Sequence, residues 1–180
     1  MTQPPDSRDR IAVVVGNPSP ASRTRAVAEH LAARLGTHDP ADTLDLAEVA
    51  GRVLDPDDAF VAGLRERVAG AALLVVATPA YKAAPTGLLK AFLDGVEAGG
   101  LRRTVTVPVV LAAAPGHAAL ADLQLRVVLD ALGARLPVPS LVVEQSRVDQ
   151  VSELVDDWSE RHLAVVRAVR DTLRVPAVAS

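Results

Sequence analysis

Short runs of apolar, mostly β-branched residues recur along this chain, and stretches with helical spacing lie between them. The first run, IAVVV at residues 11–15, contains no polar residue and ends at a glycine. A continuous apolar strand of this kind is typical of a parallel sheet that is buried on both faces. Strands that alternate with helices predict a doubly wound α/β fold, because each right-handed crossover lays its helix on one face of the sheet.

The alternation predicts five strands and five helices. The strands are expected at residues 11–15, 43–49, 71–77, 105–113 and 139–143. The helices are expected at residues 22–35, 56–69, 86–96, 118–132 and 150–173. We therefore expect a single domain over residues 11–175, preceded by a flexible, polar and Pro-rich tail at residues 1–10.

Composition argues against several classes of function. Nineteen basic and 22 acidic residues give a net charge of −3 without a basic face, so no nucleic-acid partner is expected. The absence of cysteine removes thiolate metal sites and a cysteine nucleophile, and the four histidines lack metal-ligand spacing. No signal-peptide pattern and no run of about 18 apolar residues is present. We expect a cytoplasmic protein with no metal, no membrane contact and no catalytic side chain.

The loop after the first strand, residues 16–24 with the sequence GNPSPASRT, is suited to a phosphate. Ligands of open α/β sheets bind at the carboxyl ends of the strands, and a helix start there offers backbone N–H groups. The loop lacks both GxxxxGK[ST] and GxGxxG, which favours a mononucleotide over a dinucleotide. Alternatively, Ser22 is only a helix cap and Arg23 only a solvated charge. The candidate ligand-binding residues are Asn17, Ser19, Ser22, Arg23 and Thr24.

The loop after the third strand holds the only tyrosine of the chain, Tyr81, where a planar ligand would need a ring. The alternative is that Tyr81 packs against a neighbouring helix and that Lys82 is a surface residue. The candidates in this loop are Thr78, Pro79, Ala80, Tyr81 and Lys82.

The loop after the fourth strand reads APGHA at residues 114–118 and opens a helix. Gly116 would let the backbone approach a ligand, and His117 can contact one, although a lone histidine at a helix start is more often structural. The candidates in this loop are Pro115, Gly116 and His117.

Two segments together, GNPSPASRT at 16–24 and TPAYKAAPTGLLKAFLD at 78–94, resemble the NADPH-dependent FMN reductase family, especially the members that supply alkanesulfonate monooxygenases. The resemblance implies a flavodoxin-like doubly wound five-stranded parallel sheet with helices on both faces, and FMN and NADPH as ligands. It further implies that the phosphate of FMN is held by residues of the first loop and that residues 79–82 border the ribityl chain and the isoalloxazine ring. The implied phosphate ligands are Ser19, Ser22, Arg23 and Thr24.

The sequence departs from the family pattern in three places. Asn17 stands where the family more often has serine, and residues 112–117 read AAAPGH where it commonly has Gly-Gly-Ser. Leu123 stands where the alkanesulfonate-linked members carry an inserted tyrosine at a subunit interface. We expect a homodimer or homotetramer, with the apolar residues of 118–132 at the contact.

The resemblance predicts an NAD(P)H-dependent FMN reductase that supplies reduced flavin to a partner monooxygenase or another acceptor. Two other functions stay open: an FMN-retaining quinone or azo reductase, and a flavodoxin-like flavin-binding protein without reductase activity. A different phosphate ligand in the first loop is a further alternative.

Overall fold

Five parallel strands form one sheet in the computed structural model, which describes residues 10–36 and 41–174. The strands are β1 Ile11–Val15, β2 Asp42–Asp45, β3 Leu73–Pro79, β4 Val105–Ala112 and β5 Leu141–Glu144. Their order across the sheet is β2-β1-β3-β4-β5, and every pair is parallel. This is the flavodoxin-like order, so the predicted fold class is confirmed.

Helices cover both faces of the sheet. They are α1 Arg23–Leu35, α2 Ala59–Ala69, α3 Gly87–Asp94, α4 Pro115–Ala131 and α5 Val151–Arg174. On one face, α1 and α5 enclose a core that contains Val13 of β1, Leu31 and Trp158. On the other face, α2, α3 and α4 enclose a second core that contains Val14 and Phe92. Successive residues of β1 thus serve opposite cores, as the alternation of side chains along a strand requires.

The second strand is shorter than the sequence predicts. The expectation of a strand over residues 43–49 is wrong in its second half, because β2 ends at Asp45 and Leu46–Val49 forms a 3₁₀ helix. The carboxylate of Asp45 accepts a hydrogen bond from the N–H of Ala47 (3.2 Å), which caps the 3₁₀ turn and ends the strand.

Two helix starts also differ from prediction. Helix α2 begins at Ala59 rather than at residue 56, because Asp58 is its N-cap and accepts from the N–H of Val61 (2.9 Å). Helix α4 begins at Pro115, three residues before the predicted start, since proline fits the first position of a helix. The remaining boundaries fall within two residues of prediction. Of the predicted tail, residues 1–9 lie outside the described residues.

Gly16 lies where β1 enters the first loop, pressed against α3. A Cβ atom built on Gly16 would lie 2.5 Å from Cβ of Leu89, closer than real Cβ contacts allow. The N–H of Gly16 donates to the carbonyl of Ala77 (2.7 Å), and its own carbonyl accepts from the hydroxyl of Thr86. The missing side chain therefore sets the distance between the first loop and α3.

We expect Gly16→Ala to lower the free energy of unfolding by about 1–3 kcal/mol, because overpacking at a rigid contact displaces Leu89 or β1. Urea denaturation measures the change. Gly63→Ala is the matched control: Gly63 lies within α2 with open space around it, so alanine there should raise stability by up to about 1 kcal/mol. Equal stability of Gly16→Ala and the parent would contradict the role given to this contact.

Candidate functional site

The three predicted loops meet at one edge of the sheet, at the point where the strand order reverses. The chain moves from β1 to β2 on one side and returns to β3 on the other. Val15 pairs with Ala77, so the loops after β1 and β3 leave the sheet side by side. Pro79 pairs with Leu111, which places the loop after β4 next in the row. Such a switch point is where open α/β sheets bind their ligands.

Polar side chains of the first loop mainly brace the loop itself. The amide of Asn17 is buried, accepts from the N–H of Ser19 (2.9 Å) and donates to the hydroxyl of Thr24 (3.2 Å). Ser22 is the N-cap of α1 and accepts from the N–H of Arg25 (3.3 Å). These three side chains hold the loop shape, and Ser19 is the exposed hydroxyl of the loop.

A fully buried carboxylate, Asp45, supports the same loop from β2. One of its oxygens accepts from the N–H of Ala21 (3.3 Å), whose φ of +49° is unfavourable for a residue with a Cβ. Arg25 lies 3.5 Å from the same oxygen. Asp45 was not among the predicted site residues. Its position offered a signal, because a polar residue at the carboxyl end of a strand lies at the edge where ligands bind.

The guanidinium of Arg25 is occupied by acidic partners. It forms ion pairs with Glu29 (3.0 Å) and Glu48 (3.4 Å) in addition to Asp45. The hydrogen bond to Glu29, together with the negative charges around it, raises the pKa of Arg25. Arg23 differs: it is exposed, and its guanidinium has no partner within residues 10–36 and 41–174.

The start of α1 leaves donors available for an anion. The backbone N–H groups of Arg23 and Thr24 have no acceptor in the part of the chain that the structure describes. These N–H groups, the Arg23 guanidinium and the hydroxyl of Ser19 belong to one loop at the positive end of a helix dipole. Such a donor set fits the oxygens of a phosphate.

The loop after β3 forms a tight turn at residues 81–84. Tyr81 and Ala84 exchange two backbone hydrogen bonds (2.9 and 3.1 Å), and the two central residues, Lys82 and Ala83, have φ of +52° and +63°. The Tyr81 side chain is 49% exposed, so its ring is accessible at the edge of the sheet. Lys82 is also exposed, as the alternative interpretation of a surface residue requires.

Other predicted residues of this loop are committed to the fold. The hydroxyl of Thr78 is buried, donates to the carbonyl of Pro79 (3.0 Å) and accepts from the N–H of Thr86 (3.1 Å). The N–H of Ala80 donates to the carbonyl of Leu111 (2.7 Å). Thr78 and Pro79 lie within β3, so their side chains serve the sheet.

Thr86 connects the first two loops, which makes it a further residue of structural importance at the site. It is the N-cap of α3 and accepts from the N–H of Leu89 (3.2 Å), while its hydroxyl donates to the carbonyl of Gly16. Thr86 was not among the predicted site residues. The N-cap signal could be read locally, whereas the contact with Gly16, 70 residues away, could not.

The start of α4 provides a second set of free donors. Its N-cap, Ala114, has no side-chain capping bond, and Pro115 has no N–H. The N–H groups of Gly116 and His117 therefore lack acceptors in the described part of the chain. Both residues are exposed, and a Cβ on Gly116 would meet no atom within 4 Å. Although residues 112–117 read AAAPGH instead of the family's Gly-Gly-Ser, this loop therefore still presents free backbone N–H groups at the edge of the sheet.

The sequence matches the family described as NADPH-dependent FMN reductase over residues 10–147, which include all three loops. The chain belongs to this family. Membership confirms the resemblance seen in residues 16–24 and 78–94. It also confirms the class, an oxidoreductase family whose ligands are FMN and NADPH.

Individual relatives agree with this assignment. The chain is 29% identical over 127 residues to FMN reductase (NADPH) of Pseudomonas putida strain KT2440, a match that covers 63% of this chain and 64% of that protein. It is 38% identical over 130 residues to NADH-dependent FMN reductase SfnF of Pseudomonas putida, covering 65% and 67%. The chain therefore spans just under two thirds of the first relative's length.

A solved structure extends the likeness over most of the fold. The apo form of NADH:FMN oxidoreductase (EMOB) is similar with a TM-score of 0.77 and 29% sequence identity. The alignment covers 93% of this chain and 91% of that chain. Most of this chain thus shares the fold of that oxidoreductase.

The donor chemistry of the site fits FMN, the ligand that the family implies. The start of α1 suits the phosphate, and the exposed ring of Tyr81 lies between the two helix starts in strand order. The free N–H groups of Gly116 and His117 suit the carbonyl oxygens of a flavin ring. The individual contacts of the thirteen candidate residues with FMN stay predictions.

Residues 10–36 and 41–174 contain no group of three His, Cys, Asp or Glu residues placed to hold a metal ion. None of the described helices combines the length and apolar character needed to cross a membrane. The expectation of a metal-free protein stays a prediction.

We expect Asp45→Asn to lower the free energy of unfolding by about 1–3 kcal/mol, since an amide cannot replace both acceptor oxygens in a buried site. Urea denaturation measures the loss, and FMN titration tests whether the first loop is disturbed. Glu48→Gln removes an exposed carboxylate that also pairs with Arg25, so it is the matched control and should change stability by less than about 0.5 kcal/mol. Equal effects of the two substitutions would contradict the supporting role of Asp45.

Proposed function

We propose that this protein is an NAD(P)H-dependent FMN reductase that supplies reduced flavin to a partner monooxygenase or another acceptor in the cytoplasm. One observation supports this most strongly: two helix starts with free N–H groups, those of α1 and α4, flank the loop that presents Tyr81. Phosphate donors, a ring and carbonyl donors therefore follow one another along a single edge of the sheet. A phosphorylated planar ligand needs this order of groups.

The first loop binds the phosphate in this proposal. Arg23 pairs with phosphate oxygens through its guanidinium, and the N–H groups at the start of α1 donate to the remaining oxygens. Asn17, Ser22 and Thr24 act by keeping the loop in shape, because their side chains bond within it. Asp45, at the end of β2, accepts from the N–H of Ala21 and so keeps Ala21 in its left-handed conformation.

The second and third loops orient the ring. Tyr81 would border the ring, and the N–H groups of Gly116 and His117 would donate to its carbonyl oxygens. When bound, FMN supplies the acceptor for a hydride from the nicotinamide. The chain needs no nucleophile or general base for this chemistry, since its residues act by holding two rings together in a productive arrangement.

We expect Arg23→Ala to weaken FMN binding about 10- to 100-fold, because a charge-assisted hydrogen bond to the phosphate is lost. Flavin fluorescence during titration measures the affinity. Riboflavin is the matched ligand: it lacks the phosphate, so its affinity should be the same for Arg23→Ala and the parent. Arg161→Ala, an exposed arginine on α5, is the matched variant and should leave both affinities unchanged.

Tyr81→Ala should weaken the binding of FMN and of riboflavin to the same extent, since it removes contact with the ring they share. Flavin fluorescence during titration measures both affinities.

Oxidation of NADPH, followed at the nicotinamide absorbance, should depend on added FMN. FMN that stays bound through gel filtration while a quinone or azo compound is reduced would favour the FMN-retaining reductase. Binding without turnover would favour a flavin-binding protein, and no binding of FMN would overturn the proposal.

The outer face of α4 is apolar, which supports an assembly of two or four copies. Leu120, Leu123 and Val127 are 52%, 60% and 61% exposed, and their spacing places them on one stripe of the helix. Contiguous exposed apolar surface marks interaction sites in soluble proteins. We propose that a second copy of the chain covers this stripe.

Leu123→Glu should reduce the molar mass in solution from that of a dimer or tetramer to that of a smaller species, because it places a charge within the apolar contact. Size-exclusion chromatography with light scattering measures the mass. Val165→Glu changes an exposed apolar residue on α5 and should leave the mass unchanged. A monomeric parent would contradict this assembly.

A further inference from the structure

The 81–84 turn adopts a backbone conformation that its sequence does not favour. Both central residues, Lys82 and Ala83, have positive φ, and they lie between the paired Tyr81 and Ala84. Two-residue turns of this geometry normally carry Asn-Gly or Asp-Gly, because a Cβ is unfavourable in the left-handed region. Contacts from elsewhere in the fold must therefore stabilise the turn.

A single side chain supplies such a contact. The amide nitrogen of Gln124 on α4 donates to the carbonyl of Ala83 at 3.0 Å. No other side chain in the described part of the chain donates to the backbone of residues 81–84. Gln124 also lines a half-open cleft of about 130 Å³ between α3 and α4, together with Pro85 and Leu125. Among the described residues, this exposed hydrogen bond is thus the one through which a side chain of α4 holds the backbone of the turn.

We infer that Gln124 is a positioning residue for the flavin: its amide holds the 81–84 turn, and the turn holds Tyr81 against the ring. The inference rests on the proposed function, in which Tyr81 borders FMN. Loss of the donor lets Lys82 and Ala83 return to negative φ, which breaks the paired bonds of Tyr81 and Ala84 and moves the ring. Gln124 itself does not touch the reacting atoms in this proposal.

Gln124→Glu tests the role with little change in shape, because it replaces the donor by an acceptor of the same size. We expect faster amide hydrogen exchange in a peptide covering residues 79–86 of the ligand-free protein. We also expect the Kd for FMN to rise about three- to tenfold, as for a single hydrogen bond. At saturating FMN, kcat should change less than twofold. The substitution should therefore raise the KM for FMN and leave kcat nearly unchanged. Gln145→Glu, an exposed glutamine after β5, makes the same change of charge and should alter neither measurement.

Ala83→Gly provides a rescue that a purely structural role of Gln124 would not show. Glycine tolerates positive φ, so the turn no longer needs an outside donor. In the Gln124→Glu background, Ala83→Gly should restore slow exchange in residues 79–86 and return the Kd to within about twofold of the parent. Failure of the rescue, with faster exchange spread through β1 and β3, would overturn the positioning role.

The two measurements separate this inference from the proposed function. If the parent binds FMN and Gln124→Glu binds it equally well, the inference fails and the proposed function stands. If the parent binds no FMN, the proposed function fails, and the positioning role fails with it even where exchange is faster. Unchanged exchange in residues 79–86 overturns the tie between Gln124 and the turn whatever the affinity for FMN.

Discussion

The contact between Gly16 and Leu89 sets the geometry of the whole carboxyl edge. Because Gly16 has no side chain, α3 packs directly on the end of β1, and the hydroxyl of Thr86 reaches the carbonyl of Gly16. The first loop starts from Gly16 and the second ends at Thr86. Their relative position is therefore determined by packing in the fold core before any ligand contact is made.

Side chains and backbone have different roles at the candidate site. Most polar side chains near it are already used: Asn17, Thr78 and Asp45 accept or donate within the protein. The groups left free are mainly N–H groups at two helix starts, with the guanidinium of Arg23 as an exposed charge. Backbone donors on rigid helices lose little freedom when they bind, which favours a preorganised site.

Local signals in the sequence were enough to predict the fold and to bring the three candidate loops to one edge of the sheet. Apolar runs such as residues 11–15 identify buried strands, and parallel pairing then brings their loops to one edge. The error in the second strand came from Asp45, whose capping bond to Ala47 ends β2 early. An aspartate within an apolar run can lie inside a strand or cap the turn that ends it. Only the folded structure shows that the carboxylate of Asp45 accepts from the N–H of Ala47.

Contacts between distant residues could not be predicted in this way. Asp45 supports Ala21 from 24 residues away, and Gln124 contacts Ala83 across 41 residues. No periodicity or motif encodes such pairs, because they depend on how helices and strands pack. The positive φ of Ala21, Lys82 and Ala83 was equally hidden, since lysine and alanine do not suggest it.

Gln124 lies on the same stripe of α4 as Leu120, Leu123 and Val127, so in the proposed assembly one helix face would serve both the contact between copies and the 81–84 turn. A copy of the chain seated on this stripe would shield the Gln124 to Ala83 hydrogen bond from water and strengthen it, because competing water molecules are excluded. Dilution would then loosen the turn as well as separate the copies. The protein would thus retain flavin more weakly at low protein concentration than at high concentration.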